Sequence, residues 1–168
     1  MAFTLPDIDA SDDNRYGRDG AVQIKALLVE AANANILQGL GNRVDEERVF
    51  FAGQAIPLLF PTIRIEQLTD TERFWTMGPT GSGERRIDLT YQLTVIEHIQ
   101  HQEDASESLT ILVDRVRDLF SRNRQLDGFC EDLLVQPVDR GFFNPTGRML
   151  LAARIRVMCW KIVDMVAD

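Results

Sequence analysis

The chain has 168 residues, with 26 Asp plus Glu against 18 Lys plus Arg, a formal charge of -8 and a hydrophobic fraction of 45%, the balance of one soluble, acidic globular domain. A net negative field excludes free nucleic-acid binding unless basic residues are concentrated in one patch, and no such block is present. Uninterrupted apolar runs are a handful of residues long, too short for a membrane span of about 20, and the N-terminus lacks the basic-then-apolar pattern of a secretory signal, so a cytoplasmic chain is expected.

Residues 1–19 hold Phe3, Leu5 and Ile8 among Asp7, Asp9, Asp12, Asp13 and Asp19, with Arg15 and Arg18 as the opposing charges. Such a stretch cannot build a core alone and reads as an acidic N-terminal arm, which leaves residues 20–168 as a single α+β domain. Asp19 suits an N-cap, and Ile24, Leu27, Leu28 and Ala31 follow at helical spacing until Gly39 and Gly41, giving a first helix over 20–38. Val49 to Ala52 reads as a short strand. The stretch Leu58 to Thr69 reads as a longer one that Pro61 confines to a sheet edge or delays to Thr62, since proline donates nothing to a ladder.

The clearest strand runs from Arg86 to Gln100, with Ile87, Leu89, Tyr91, Leu93, Val95 and Ile99 on one face and Asp88, Thr90, Gln92, Thr94 and His98 on the other. Ile96 and Glu97 break that alternation. Asp104 and Glu107 resemble a capping box, and Leu109, Leu112, Val113, Val116, Leu119 and Phe120 mark the apolar face of a second helix that Gly128 ends. A strand over Asp132 to Val138, a turn through Gly141 to Gly147, and a strand from Arg148 to Lys161 complete the chain. The expected fold is an antiparallel sheet with two helices packed on one face, in the order α-β-β-α-β-β. A strand of about 15 residues spans about 50 Å, longer than the roughly 40 Å diameter of a domain this size. Paired with its predecessor, it forms a long hairpin projecting from the body and tipped by residues 70–85; the alternative is a strand broken by a bulge that curls around its core.

Candidate chemistry is sparse. Gly78 to Arg85 carries the outer glycines of a phosphate-binding loop, but Glu84 stands where that loop needs lysine, Arg85 where it needs a hydroxyl, and a strand follows in place of a helix. His98 and His101 lie three apart on a strand, hence on opposite faces, and read as a solvated strand end without a metal. Cys130 and Cys159 form no CxxC pair and lie beside apolar residues, which reads as two buried free thiols. No catalytic, cofactor-binding or metal-ligating set emerges, so no enzymatic activity is expected. Instead Phe74, Trp75 and Met77, bracketed by Arg73, Arg85 and Arg86, and a second pair, Phe142 and Phe143, are of the residue types that subunit interfaces favour. Lys25 and Lys161 are the only lysines, and the remaining arginines suit bidentate pairing with carboxylates.

This layout, with its first helix, long hairpin closed by a glycine-rich loop at 78–83, charged second helix and C-terminal hairpin, resembles over residues 20–163 the tail terminator (tail completion) proteins of tailed bacteriophages. The resemblance implies a structural virion protein of the tail and neck, assembled in the host cytoplasm. It implies a hexameric ring that caps the tail-tube protein, meets the head-tail connector protein and surrounds the passage for the genome without sequence-specific DNA contact. Two other readings stand beside it. One is a ferredoxin-like ligand-binding or regulatory module, which requires a concave apolar pocket; the other, a small hydrolase or nuclease, requires a carboxylate or histidine cluster that the spacing does not supply.

Overall fold

The computed structural model describes residues 10–38, 44–54, 59–77, 83–98, 102–143 and 150–165, with backbone alone at 10–15, 72–77, 102–104, 138, 143 and 164–165. Its elements are helix α1 (Ala10–Asn33), strands β1 (Val49–Phe51), β2 (Thr62–Met77) and β3 (Gly83–His98), helix α2 (Gln102–Arg122), and strands β4 (Asp132–Phe143) and β5 (Leu150–Met165). The class is α+β. The sheet has five strands in the order β1-β2-β3-β5-β4.

Helix α1 begins ten residues before the start that hydrophobic spacing indicates, so Asp19 lies inside it and residues 10–19 belong to its first turns. Aspartates at 12 and 13 suit the positive end of the helix dipole, which is why an acidic stretch can be helical here. The helix ends before Gly39 and Gly41. Asn35 takes the left-handed conformation at φ 58, and the Ile36 N–H reaches back to Ala31 O at 2.9 Å, a glycine-free version of a common helix stop.

Strand β2 starts at Thr62, immediately after Pro61, as the missing N–H requires. Its first residues pair in parallel with β1, Val49 opposite Ile63 and Phe51 opposite Ile65. The sheet is therefore mixed, where alternation alone indicates an antiparallel one. From Glu66 onward β1 no longer covers β2, and an edge strand can hold polar residues such as Asp70, Thr71, Glu72 and Arg73 because its pairing rests on backbone hydrogen bonds. That explains why β2 runs to Met77 through residues that composition assigns to a loop. The connection to β3 is only residues 78–82, which lie outside the described residues, and the phosphate-loop lookalike is followed by a strand, not a helix.

Strand β3 pairs antiparallel with β2 from Thr62↔Ile96 to Met77↔Gly83 and with β5 from Gly83↔Met165 to His98↔Leu150 without a register shift. Both helices pack on one face. Ile24 and Leu28 of α1, Leu109, Leu112 and Val116 of α2, and Ile63, Leu93, Val95, Ile155 and Val157 of the sheet form a single buried cluster. The expected exceptions on β3 find distinct places. Ile96 joins Leu150 and Ala152 in a small cluster on the opposite face. Glu97 is buried toward α2, where it accepts a hydrogen bond from Ser108 Oγ at 3.3 Å and one from its neighbour's His98 N–H at 3.1 Å.

Helix α2 starts at Gln102, so Asp104 lies in its first turn and not at a cap, and it ends at Arg122, short of Gly128. The chain then winds through turns in which Leu126 and Asp127 as well as Gly128 have positive φ. Tyr91, buried completely, meets α1 at a notch left by Gly20: its hydroxyl donates to Gly17 O at 2.8 Å, and a Cβ on Gly20 would lie 2.1 Å from the Tyr91 hydroxyl oxygen.

Candidate interaction face

Alternation along the strands sends one set of side chains under the helices and the other to the opposite face, where no helix packs among the described residues. On β3 this open face carries Arg86, Asp88, Thr90, Gln92 and Thr94; opposite them on β5 stand Ile162, Trp160, Met158, Arg156 and Arg154. Most are half-buried or exposed, whereas their odd-numbered neighbours from Ile87 to Val95 are buried.

Trp160 is the centre of a row that crosses three strands, lying opposite both Asp88 of β3 and Asp132 of β4. The Arg86 guanidinium stacks over the indole at 4.4 Å and pairs with Asp88 at 2.9 Å. On the other side Arg124 makes a bidentate pair with Asp132, at 2.8 and 2.6 Å. Farther along, Arg154 grips Asp139 in the same forked fashion. The hydrogen bond from Arg154 holds the Asp139 carboxyl below the usual carboxylate range, and the same bond raises Arg154. Between these pairs sits Arg156, flanked by Gln92 and Gln136. Among the described residues it makes no ion pair, and its Nε is buried without a hydrogen-bond partner. An Nε–H in that position is a natural donor to a carboxylate from another chain.

Of the residues that sequence assigns to an interface, Arg86 belongs to this face. Arg85, one position away, faces the helix side and lies opposite Phe74 and Val163. Phe74, Trp75 and Met77 stand in β2 and not in a loop; Phe74 is opposite Arg85, Met77 opposite Gly83, and Trp75 falls at a register shift. Their side chains lie outside the described residues, as does that of Phe143. Phe142, at the end of β4 opposite Leu151, is 62% exposed. The fold thus joins Arg86 to Asp88, Trp160, Arg124 and Asp132, and it does not bring Phe142 to that row. Alternation along the last strand sets Arg156 with Arg154 on the face opposite Ile155 and Val157, whereas Trp160 and Arg124 escape a reading centred on loops. Trp160 shares the even-numbered face of β5 with both arginines, so the same parity could have found it.

A cleft of about 460 Å³ beside Trp160 is lined by Arg86, Asp88, Thr90, Arg124, Leu134 and Met158 among others. Leu134, 56% exposed, is the apolar lip of this cleft. His98 is half-buried and stacks on Phe60 at 5.9 Å between ring centres, a packed strand end where a solvated one is expected. His101 lies outside the described residues. Among those residues no three His, Cys, Asp or Glu side chains converge as a metal site requires, and no helix is long and apolar enough to cross a membrane. No protein-family model matches the chain, and no curated protein matches it.

Proposed function

We propose that the chain is a structural, non-enzymatic subunit of a ring, of the kind the bacteriophage tail terminators form. On this reading six copies close around the genome's passage in the virion neck, with tail-tube protein on one side and the head-side connector on the other. DNA slides through without being read, and no cofactor takes part. One observation carries the reading, the one-sidedness of a long sheet. Three neighbouring strands of 16 residues each, about 50 Å long, have helices on one face only among the described residues, and the other presents Trp160, Met158 and arginines.

Tryptophan, methionine and arginine are the types that concentrate binding energy at subunit contacts, and carboxylate-paired arginines fix orientation. On this reading the frame is α-β-β-α-β-β with β1 added in parallel at its edge, and β5 accompanies the β2–β3 hairpin to its end. The hairpin end, with Phe74, Trp75, Met77, Arg85 and Arg86, and the β4 end, with Phe142 and Phe143, then touch different surfaces of identical neighbours. Such head-to-tail contacts close into rings when the rotation permits. Static light scattering on the purified protein, alone and mixed with tail-tube protein, tests this: discrete oligomers are expected, and a monomer that associates with neither itself nor the tube sinks the proposal.

The cleft beside Trp160 favours a second reading, a ligand-binding or regulatory module, because an aromatic wall there meets two arginines. Thermal shifts with a metabolite library separate the two. A saturable shift with a monomeric protein supports the module, and a uniformly null screen counts against it.

A further inference from the structure

The fold brings the chain's two cysteines, far apart in sequence, into one buried site. Cys159 lies on the helix face of β5, opposite Leu133, and Cys130 lies in the turn that leads into β4. The Glu131 N–H bonds Trp160 O at 2.9 Å, which pins that turn against β5 beside Cys159. Both thiols are free, both are buried in the main core cluster, and the Cys130 thiol donates to Arg124 O at 3.4 Å. We propose that Cys130 and Cys159 form a dithiol site that a small-molecule disulfide converts to an intramolecular disulfide, tying the turn before β4 to β5.

The two sulfurs are inequivalent. The Cys159 side chain and the nearby Lys161 ammonium hold the Cys130 thiol below its ordinary range, while Cys130 and burial push Cys159 up. Lys161 itself is fixed beside the pair, its Nζ 4.4 Å from the Phe129 ring centre and 5.0 Å from that of Tyr16. The reactive partner also stands on the more yielding segment. Residues 123–130 are held by turn bonds such as Phe129 N–H to Leu126 O at 3.2 Å and Cys130 N–H to Gln125 O at 3.1 Å, and two non-glycine residues there, Leu126 and Asp127, have positive φ. A segment of that kind opens at lower cost than the paired strands and admits a reagent without global unfolding.

The chemistry balances with one oxidant. The Cys130 thiolate attacks a sulfur of oxidised glutathione, forming a mixed disulfide and releasing one glutathione thiolate. Cys159, giving up its proton, then attacks the Cys130 sulfur and releases the second glutathione. The protein loses two electrons and two protons, and the reagent is reduced to two glutathione molecules.

The test incubates the native wild-type protein with oxidised glutathione and follows it by intact mass, thiol titration and non-reducing peptide mapping. Expected are a mass loss of about 2 Da with no retained adduct, disappearance of both titratable thiols, a Cys130–Cys159 linked peptide, and a higher Tm that a reductant restores to its starting value. In Cys159→Ser the reaction should stop at a glutathione adduct on Cys130. A persistent adduct on the wild type, disulfide-linked dimers, or two thiols still free after prolonged incubation would each overturn the proposal.

Discussion

Replacing Gly20 with alanine separates the notch under α1 from an ordinary helix glycine, because the two cases predict opposite signs. At an open helical site Gly→Ala stabilises by about 0.5–1 kcal/mol. Here the added Cβ would lie 2.1 Å from Tyr91 Oη, 2.8 Å from its Cζ and 3.0 Å from Phe129 Cε1, whereas ordinary contacts start at 3.4 Å. The phenol must retreat, and it is fully buried with its hydroxyl committed to Gly17 O at 2.8 Å. Overpacking of this kind costs about 1–3 kcal/mol, and a buried hydroxyl driven off its acceptor adds about 1–3 kcal/mol. Against the helix gain, Gly20→Ala should lose about 1–5 kcal/mol, and each kcal/mol lowers Tm by about 2–4 °C at this size.

Urea unfolding of the single variants and of Gly20→Ala with Tyr91→Phe completes the cycle. Tyr91→Phe removes the atom at 2.1 Å but leaves the ring carbon at 2.8 Å, so the double variant should recover about 1 kcal/mol relative to additivity. A raised midpoint for Gly20→Ala, or strict additivity in the pair, would refute the proposed contact between α1 and Tyr91.

The remaining predictions concern charge. Burial raises the Tyr91 pKa; the unfolded chain ionises this phenol near its ordinary value and the folded chain does not, so the contribution is intact below about pH 10 and is lost as pH rises above it. Stability measured between pH 9 and 11 should fall less steeply in Tyr91→Phe. The Asp139 carboxyl, held down by Arg154, should titrate by NMR below a typical aspartate and return toward the ordinary range in Arg154→Gln; an unchanged titration would show that the pair does not persist in solution. Because a depressed carboxylate stabilises above its unfolded pKa and ceases to do so on acidification, the pair acts at neutral pH and fades through the acid range. Arg156→Glu should weaken self-association by tenfold or more in light scattering while moving Tm by no more than about 2 °C, since a charge reversal on the face away from the helices disturbs a partner far more than the core.

The sheet's interior was legible and its margins were not. Ile87 to Val95 alternate because both faces of that strand face different surroundings, and all the odd-numbered positions there are buried. Thr69 to Met77 show no such pattern because an edge strand is held through its backbone and tolerates Asp70 and Glu72. Gly17 and Gly20 stand inside α1 because of what β2 and β3 press against them, Gln67 where a Cβ on Gly17 would lie and Tyr91 where one on Gly20 would lie. The helix end at Asn35 and the turn at Leu126 and Asp127 use left-handed residues other than glycine, which local propensity ranks poorly. At the candidate face, arginine at 154 and 156 was readable from parity. The row through Asp88, Trp160 and Asp132 depends on register between strands distant in sequence, which one chain's pattern does not encode.

The register shifts have a distribution that matters for shape. Strands β3 and β5 match residue for residue over their whole shared length, whereas β2 slips between Gln67 and Thr69 and again between Phe74 and Thr76, and β4 slips between Pro137 and Asp139. In a twisted ribbon the margins trace a longer path than the midline, as the rails of a spiral ramp exceed its axis. Extra residues on either side of an unbroken central pair supply that added path. The bulges at Leu68, Trp75 and Val138 thus let the sheet coil without stretching its ladder, and they make the curvature of the open face a property of contour length as much as of side-chain packing.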